Sequence, residues 1–224
     1  IEIYRWGMTG VNKRNYQKEL DKLLEGLKGQ EGKHLFLHSC CAPCSSYVLE
    51  YLRPFFQITV FYYNPNITAS TEYFKRVEEQ KRLIELLNKK EGHFPITIVE
   101  GDYHPKIFLG LAAGLEDCPE GGERCFACYR LRLEETAKRA VESGADYFAT
   151  TLTISPLKNA EKLNELGEEL AGTYGVAWLP SDFKKKDGYK RSIALSAEYD
   201  LYRQDYCGCA FSKAQREQEK NLSD

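Results

Sequence analysis

The sequence predicts a three-layer α/β/α fold built on a five-stranded parallel sheet. Five short apolar or β-branched stretches alternate along the chain with segments whose apolar residues recur at helical spacing. Alternation of this kind produces a parallel sheet, because each right-handed crossover lays a helix on one face of the sheet. The strand-to-helix turns then meet at one edge of the sheet, which is where a functional site is expected.

The length of 224 residues fits one well-buried core. We expect a single α/β domain over 1–224, with an N-terminal arm and amphipathic helix appended at 1–32. A basic loop, a helix and a Cys-Gly-Cys segment are appended at 180–224. No apolar run is long enough to span a bilayer and no secretory signal is visible, so we expect no membrane anchor and a cytoplasmic location. We also expect a monomer. The net charge of −2 argues against a large nucleic-acid-coating surface.

Helices are predicted where apolar residues recur every three or four positions up to a glycine, a proline or a polar run. In chain order they are expected over 16–27, 45–52, 71–90, 107–113, 125–143, 159–171 and 192–199. The helix over 71–90 is expected to bury one stripe of side chains: Phe74, Val77, Leu83, Ile84 and Leu87. The helix over 125–143 is expected to bury Leu131, Leu133, Ala137 and Val141.

Strands are predicted where β-branched and aromatic residues run together up to a turn signal. In chain order they are expected over 34–39, 58–63, 96–100, 146–150 and 176–178. The second of these shows the pattern most clearly, because Ile-Thr-Val-Phe-Tyr-Tyr is followed by Asn64-Pro65-Asn66. Three other expectations are an extended arm over 1–12, a polar loop over 182–191 and an end of the ordered part at Cys209.

The most unusual stretch follows the first strand and reads His38-Ser39-Cys40-Cys41-Ala42-Pro43-Cys44. This turn is where a nucleotide-binding protein of the same architecture places glycines, so that backbone amides can approach a phosphate. The turn has thiols instead of glycines. An ATP-dependent RNA-modifying enzyme is therefore disfavoured, and a thiol-based site is favoured.

Eight cysteines could form four disulfides in a secreted protein, but their clustering favours an intracellular metal or redox site. Cys125 and Cys128 open a helix, where their spacing places both sulfurs on one face near the positive end of the dipole. Together with Cys40 and Cys41 they could hold tetrahedral zinc or a [4Fe-4S] cluster. Spacing alone does not choose between the two, although a vicinal cysteine pair favours the cluster.

Cys207-Gly208-Cys209 predicts a redox pair, because a disulfide between positions i and i+2 closes a strained, easily reduced ring. The glycine permits the backbone conformation that such a ring requires. Two free thiols or two metal ligands are the alternative. Cys44 could bind a second metal or simply pack, Cys118 is assigned no role, and His38 is expected to be a hydrogen-bonded core residue.

Two polar segments are candidate contacts to a nucleic-acid substrate. One is a basic stretch with an aromatic residue inside it, suited to phosphate contacts and base stacking: Lys184, Lys185, Lys186, Tyr189, Lys190 and Arg191. The other is a hydroxyl-rich segment after the fourth strand: Thr151, Thr153 and Ser155. The alternatives are a solvated charged face for the first and capping of the next helix for the second.

Five segments together resemble the cobalamin-independent epoxyqueuosine reductases, in the order found in that family. They are Cys40-Cys41-Ala42-Pro43, Asn64-Pro65-Asn66-Ile67, the run from Cys125 to Leu133, the run from Thr151 to Pro156, and Tyr206-Cys207-Gly208-Cys209. The resemblance implies a Rossmann-like, nucleotide α-hydrolase-like fold. It also implies reduction of epoxyqueuosine to queuosine at the wobble position of tRNA, with electrons from a donor that the sequence does not identify.

Carried over position by position, the resemblance implies a [4Fe-4S] cluster on Cys40, Cys41, Cys125 and Cys128. It also implies a redox-active disulfide between the cysteines of Cys207-Gly208-Cys209. Some members of the family have Asp at the position of Cys44, where it can bind an additional mononuclear iron, and a thiolate could do the same.

The residues can supply what the implied reaction needs, because removal of an epoxide oxygen takes two electrons. A cluster passes electrons one at a time, whereas a dithiol supplies a pair. A non-catalytic, zinc-stabilised RNA-binding module is the remaining alternative.

Overall fold

A computed structural model of the chain describes residues 14–30, 32–91 and 93–222. Its five strands are β1 Lys33–His38, β2 Phe56–Tyr62, β3 Thr97–Glu100, β4 Tyr147–Thr150 and β5 Ala177–Trp178. They form one all-parallel sheet in the order β3-β2-β1-β4-β5, so the predicted three-layer α/β/α architecture is confirmed. The arm predicted over 1–12 lies outside the described residues.

The α-helices of the described chain flank this sheet. They are α1 Tyr16–Gly26, α2 Ala42–Leu52, α3 Ser70–Asn88, α4 Pro105–Ala112, α5 Glu123–Glu142, α6 Ala160–Tyr174, α7 Gly188–Glu198 and α8 Ala210–Asn221. A short 3-10 turn, Thr151–Ile154, follows β4 directly. Among the described residues no helix is long and apolar enough to cross a membrane.

The core lies on both faces of the sheet, as the alternation of side chains along β1 shows. Leu35 and Leu37 pack with side chains of α1, α2 and α3 on one face, whereas Phe36 packs with α5 and α6 on the other. Helix α7 packs on α2 and so extends the first layer. Leu20 of α1 is fully buried in the first layer, so this helix, predicted as an appendage, contributes to the core.

Two boundaries in the C-terminal segment differ from prediction. The loop predicted over 182–191 is partly helical, because α7 already begins at Gly188. Lys186 and Asp187 have positive φ angles of 51° and 59° and turn the chain into the helix. A side chain at Gly188 would overlap the carbonyl oxygen of Phe183, so this tight turn requires glycine.

The expectation that the ordered part ends at Cys209 is wrong, because the chain continues as α8 with Cys209 as its N-cap. Most side chains of α8 are charged or polar, and they provide little of the apolar periodicity from which a helix is predicted. The helix contacts the remainder of the protein through Phe211, whose ring centroid lies 6.2 Å from that of Phe108 on α4.

Two side chains predicted to be buried are exposed: Phe74 by 55% and Val141 by 47%. The stripe of α3 that is buried begins at Tyr73, one residue before Phe74, and continues through Val77. In α5 the buried positions include Ala137 and Ala140. The other predicted positions of α3, and Leu133 and Ala137 of α5, are buried. Each error therefore concerns one residue beside the stripe, since one position turns a side chain through about 100° around an α-helix.

Candidate functional site

The candidate site lies at the carboxyl edge of the sheet, between β1 and β4. Strands β2 and β3 lie on one side of β1, whereas β4 and β5 lie on its other side, so the strand order reverses direction at β1. Ligands bind at such topological switch points. Cys40 follows β1 and Thr151 follows β4. The backbone N–H of Cys40 donates to Thr151 Oγ1 at 3.4 Å, and the same hydroxyl lies 3.7 Å from Cys40 Sγ.

Three thiols are brought together where the chain turns from β1 into α2. The sulfurs of Cys40, Cys41 and Cys44 all lie within 4.8 Å of one another, and Cys40 Sγ donates to Cys41 Sγ at 3.8 Å. The turn is held by Ser45, whose hydroxyl donates to the carbonyl oxygen of Cys41 at 2.9 Å. This three-thiol group could bind a metal ion.

The other predicted ligands and the predicted redox pair share a small adjoining cavity. Cys125 and Cys128 enter it from the start of α5, and Cys207 and Cys209 enter it from the C-terminal segment. The Sγ atoms of Cys207 and Cys209 are 3.4 Å apart. The structure therefore places Cys125 and Cys128 beside the predicted redox pair, in a cavity next to the three-thiol group. The four-cysteine ligand set remains a prediction.

A larger cavity of about 350 Å³ opens over the three-thiol group. Cys207 lines this cavity as well as the smaller one, so it connects the two groups of thiols. Charged side chains that line the larger cavity include Arg76, Glu120, Arg132 and Lys158. Its volume lies in the range of small-ligand sites.

Arg132 places a positive charge between the two groups of thiols. Its side chain is 4% exposed and lines both cavities. Its Nε donates to the carbonyl oxygen of Cys128 at 3.3 Å, and none of the described carboxylates lies within ion-pairing distance. A buried guanidinium without an anionic partner is costly, so the site is suited to an anionic group. Thiolates that hold a metal or an iron–sulfur cluster are such a group, and the donor set therefore fits one.

Each group of thiols contains one cysteine that favours the thiolate. Hydrogen bonds donated by Cys40 and Cys44, together with the charge of Arg76, lower the pKa of Cys41. Donation to Cys41 raises the pKa of Cys40 to about 11. Metal ligation requires the thiolate, so Cys41 is the member of the three-thiol group that is best prepared to bind a metal.

In the predicted redox pair, the cavity-facing thiol is the acidic one. The hydrogen bond shared with Cys209 and the charge of Lys158 lower the pKa of Cys207, whereas the same hydrogen bond and burial raise the pKa of Cys209. The anionic sulfur thus lies on the side of the larger cavity.

The predicted requirement for glycine in Cys207-Gly208-Cys209 is confirmed. Gly208 has φ of +108°, and an added Cβ would lie 2.7 Å from Ile67 Cγ1. Arg76 holds the segment by donating from Nη1 to the carbonyl oxygen of Cys207 at 3.2 Å. The N–H of Thr68 donates to the carbonyl oxygen of Gly208 at 3.2 Å.

Most cations of the predicted basic stretch are paired with acidic side chains. The pairs are Lys184 with Asp182 at 2.7 Å, Lys186 with Asp21 at 2.6 Å, and Arg191 with Glu50 at 2.7 Å. Lys185 and Lys190 are exposed and form no ion pair within the described chain. Tyr189 lines the larger cavity. The available contacts for a phosphate backbone thus reduce to two lysines beside a cavity-lining aromatic ring.

The hydroxyl-rich segment is largely structural. Thr151 supports the cysteine turn, as described above, and the buried Thr153 hydroxyl lies 3.1 Å from Ser181 Oγ. Ser155 lines the larger cavity, although its hydroxyl accepts a hydrogen bond from the N–H of Leu157 at 3.3 Å.

His38 is a hydrogen-bonded core residue, as predicted. Its ring nitrogens lie 2.8 Å from Thr150 Oγ1 and 3.1 Å from the carbonyl oxygen of Tyr63, and burial lowers its pKa to about 3.

Several charged side chains of the site were not predicted from the sequence. Arg132 could have been found, because it lies four residues after Cys128 and so on the same helical face. Lys158 follows the hydroxyl-rich segment by three residues, but it lies in a loop without periodicity. Arg76 and Glu120 carry no local signal that distinguishes them from surface charges.

The fold and the site define a Rossmann-like α/β protein with cysteines in the lining of its switch-point cavity. A family model described as epoxyqueuosine reductase QueH matches residues 35–215. The epoxyqueuosine reductase QueH of Staphylococcus epidermidis is 44% identical over 203 residues, which cover 89% of this chain and 85% of that protein. The epoxyqueuosine reductase QueH of Streptococcus pyogenes is 42% identical over 206 residues, which cover 92% of this chain and 80% of that protein.

A more distant relative, the epoxyqueuosine reductase QueH of Thermotoga maritima, is 34% identical over 185 residues, which cover 81% of this chain and 91% of that protein. The chain belongs to the epoxyqueuosine reductase QueH family and is an enzyme of the oxidoreductase class. The family resemblance predicted from the motifs is thereby confirmed.

Proposed function

We propose that this enzyme reduces epoxyqueuosine to queuosine at the wobble position of tRNA. The observation that supports this most directly is the position of Cys207, which lines both the larger cavity and the smaller one. A substrate in the larger cavity would meet a thiol of the predicted redox pair on one side and the three-thiol group on the other. Membership in the family supports the same reaction.

The reaction requires two electrons and two protons. Both C–O bonds of the epoxide break, a C=C bond forms between the two carbons, and the oxygen leaves as water. Oxidation of Cys207 and Cys209 to a disulfide supplies two electrons. Because Cys207 favours the thiolate, the pair supplies one proton, from Cys209, and the solvent supplies the other, so atoms and charge balance. The 3.4 Å separation of the two sulfurs supports this role. A further electron donor, whose identity is open, must then reduce the disulfide for the next turnover.

A [4Fe-4S] cluster on Cys40, Cys41, Cys125 and Cys128 is part of the proposal, and such a cluster would supply single-electron transfer when bound. The buried charge of Arg132 supports it, because the four thiolates and the cluster are together anionic. Cys44 completes the three-thiol group and is the proposed ligand of a second, mononuclear iron.

The proposed partner is tRNA with epoxyqueuosine in its anticodon. Anticodon bases are single-stranded, so one nucleoside can turn out of the stack into a cavity at modest cost. Lys185 and Lys190 would contact the phosphate backbone and Tyr189 could stack on a base. We further expect a monomeric enzyme in the cytoplasm, where free thiols are kept reduced.

The decisive experiment is anaerobic reconstitution with iron and sulfide, followed by incubation with tRNA bearing epoxyqueuosine and mass analysis of its nucleosides. The expected result is a brown protein that removes one oxygen atom from the modified base. A colourless protein that holds stoichiometric zinc after anaerobic purification, and leaves the base unchanged, would instead support the zinc-stabilised binding module.

The role of the redox pair is tested separately with Cys207→Ser, which should abolish multiple turnover. Cys118→Ser is the matched control, because Cys118 lines neither cavity, and it should keep wild-type activity. Full multiple turnover by Cys207→Ser would refute the dithiol part of the proposal and leave the reductase activity standing.

A further inference from the structure

We infer that Lys158 is a catalytic residue, whose ammonium group binds the epoxide oxygen and stabilises the negative charge that develops there as the C–O bond breaks. The inference rests on the proposed epoxide reduction and deepens it, because it assigns the group that receives the leaving oxygen.

Lys158 is placed where this role requires a cation. It lies in the loop between the 3-10 turn and α6, and its side chain is only 8% exposed. It lines both cavities, as Cys207 does. A substrate that reaches Cys207 from the larger cavity would therefore also reach the ammonium of Lys158.

The ammonium of Lys158 has hydrogen-bonding capacity to spare. Its Nζ donates to Glu120 Oε1 at 3.0 Å, and the part of the chain that the structure describes offers the remaining two N–H groups no other acceptor. A buried ammonium seeks acceptors for all three of its N–H groups. An oxygen of a substrate in the cavity would satisfy this requirement.

The side chain remains charged in this position. Burial by itself would lower the pKa of Lys158, but the nearby Cys207, Tyr129 and Glu120 raise it overall. Lys158 is therefore a permanent hydrogen-bond donor and positive charge. Preorganised donors of this kind, aimed at a developing oxyanion in a site that excludes water, are among the largest contributions to catalysis.

Glu120 and Ser212 tie the position of the ammonium to that of the dithiol. Ser212 Oγ donates to Glu120 Oε2 at 3.1 Å and accepts from the N–H of Cys207 at 3.2 Å. The N–H of Ser212 donates to Cys209 Sγ at 3.3 Å. Glu120 is thus a positioning residue, and one set of hydrogen bonds holds both the cation for the oxygen and the sulfurs that supply electrons.

Other cations that line the larger cavity are less suited to the role. Arg76 is paired with Glu72 at 2.6 Å and donates to the carbonyl oxygen of Cys207. Arg132 lies between the thiol groups, where its charge is needed to balance thiolates. Arg203 is exposed and does not line the smaller cavity. Lys158 combines a buried charge, unused donors and access to both cavities.

The first test compares Lys158→Met with Lys162→Met in single-turnover reduction of an anticodon stem-loop bearing epoxyqueuosine. Rates are normalised to the iron content of each protein. Lys162 is the matched control, because it is a half-buried lysine in the following helix, is paired with Glu165 and lines neither cavity. The expected result is a rate constant about 100-fold lower or more for Lys158→Met, the usual effect of removing one oxyanion donor, and a normal rate for the control.

The second test measures affinity for two stem-loops that differ only in the epoxide oxygen, one bearing epoxyqueuosine and the other queuosine. Wild type should bind the epoxide form about tenfold more tightly, the value of one charged hydrogen bond. Lys158→Met should bind both forms equally, whereas Lys158→Arg, which retains a charged donor, should restore part of the preference and of the rate. A purely structural role for Lys158 would not change this preference.

The outcomes separate this inference from the proposed function. If wild type removes the oxygen but Lys158→Met does so within about threefold of its rate, the inference is refuted and the reductase activity stands. If wild type removes no oxygen, the proposed function fails and the inference with it. Lys158→Gln, which can still pair with Glu120, provides the same comparison if the methionine variant does not fold, and an unchanged rate and preference in it would equally refute the inference.

Discussion

Replacing Gly208 by alanine should disable the predicted redox pair and leave the sheet and the cysteine turn intact. The backbone at Gly208 has φ of +108°, where a residue with a Cβ is strained by about 1–3 kcal/mol. The added Cβ would also lie 2.7 Å from Ile67 Cγ1, and Ile67 is only 1% exposed, so its side chain has little room to move away.

This strain should shift the segment away from the conformation that brings the two sulfurs together. Since 1.4 kcal/mol corresponds to a factor of ten, a cost of about 1–3 kcal/mol lowers the population of the native segment by about 5- to 150-fold relative to its alternatives. The hydrogen bonds from Arg76 and Thr68 to this segment would weaken together, because both end on its carbonyl oxygens.

The assay is titration of the Cys207–Cys209 pair against glutathione, with trapping of free thiols by alkylation and counting by mass. Gly208→Ala should shift the midpoint toward the dithiol and lower single-turnover reduction by a similar factor. Gly172→Ala is the control, because Gly172 lies in α6 and no described atom would approach its added Cβ within 4 Å. A midpoint and a turnover rate unchanged in Gly208→Ala would show that the segment does not depend on this backbone conformation.

Three further predictions concern charge. Arg132→Met should raise the free energy of unfolding of the apoprotein, because it removes a buried unpaired cation, and it should weaken the retention of iron and sulfide. Thermal unfolding of the apoprotein and of the reconstituted protein measures the two effects. Equal changes in the apoprotein and the reconstituted protein would contradict the role of Arg132. Glu79→Gln should cost about 0.2–1 kcal/mol of stability at pH 7, because Arg82 lowers the pKa of this carboxyl below its usual 4.5 but is itself partly exposed to solvent. That stabilisation is present above pH 4.5 and is lost as the pH falls through the lower folded-state pKa. The free energies of unfolding of wild type and variant, measured in urea, should therefore converge in acid. A difference that stays constant with pH would argue against this linkage. Lys185→Ala and Lys190→Ala should each weaken tRNA binding and reduce the slope of log K against log salt by about 1, whereas an unchanged slope would exclude direct phosphate contacts.

Much of the fold could be predicted from local signals. The strand after residue 55 shows this best, because its β-branched and aromatic residues and the Asn64-Pro65-Asn66 turn both depend on neighbours in the chain. All the described helices before α8 were also predicted, although one residue at the margin of the apolar stripe was wrong in each of two helices, Phe74 and Val141. Propensity and periodicity indicate that a helix is amphipathic, but only packing determines which residues at the margin of its apolar face are covered.

The C-terminal segment shows where local signals are insufficient. Helix α8 carries a weak apolar pattern, and its position depends on Phe211 meeting Phe108 from a distant part of the chain. The start of α7 depends on positive φ angles at two successive residues, Lys186 and Asp187, a conformation that Asp tolerates but Lys rarely adopts.

By itself, the sequence determined the architecture, the cysteine turn after the first strand, the need for glycine between Cys207 and Cys209, and the family. These properties follow from short-range spacing and from residue types that few other structures would tolerate. Only the tertiary structure decided which charges face the thiols. Lys158 and Glu120 are 38 residues apart in the chain, yet their side chains form a hydrogen bond. Arg132 is suited to an anionic group only because it is buried without a carboxylate partner. Long-range electrostatic partners of this kind follow from how the helices pack on the sheet, and no local pattern specifies them.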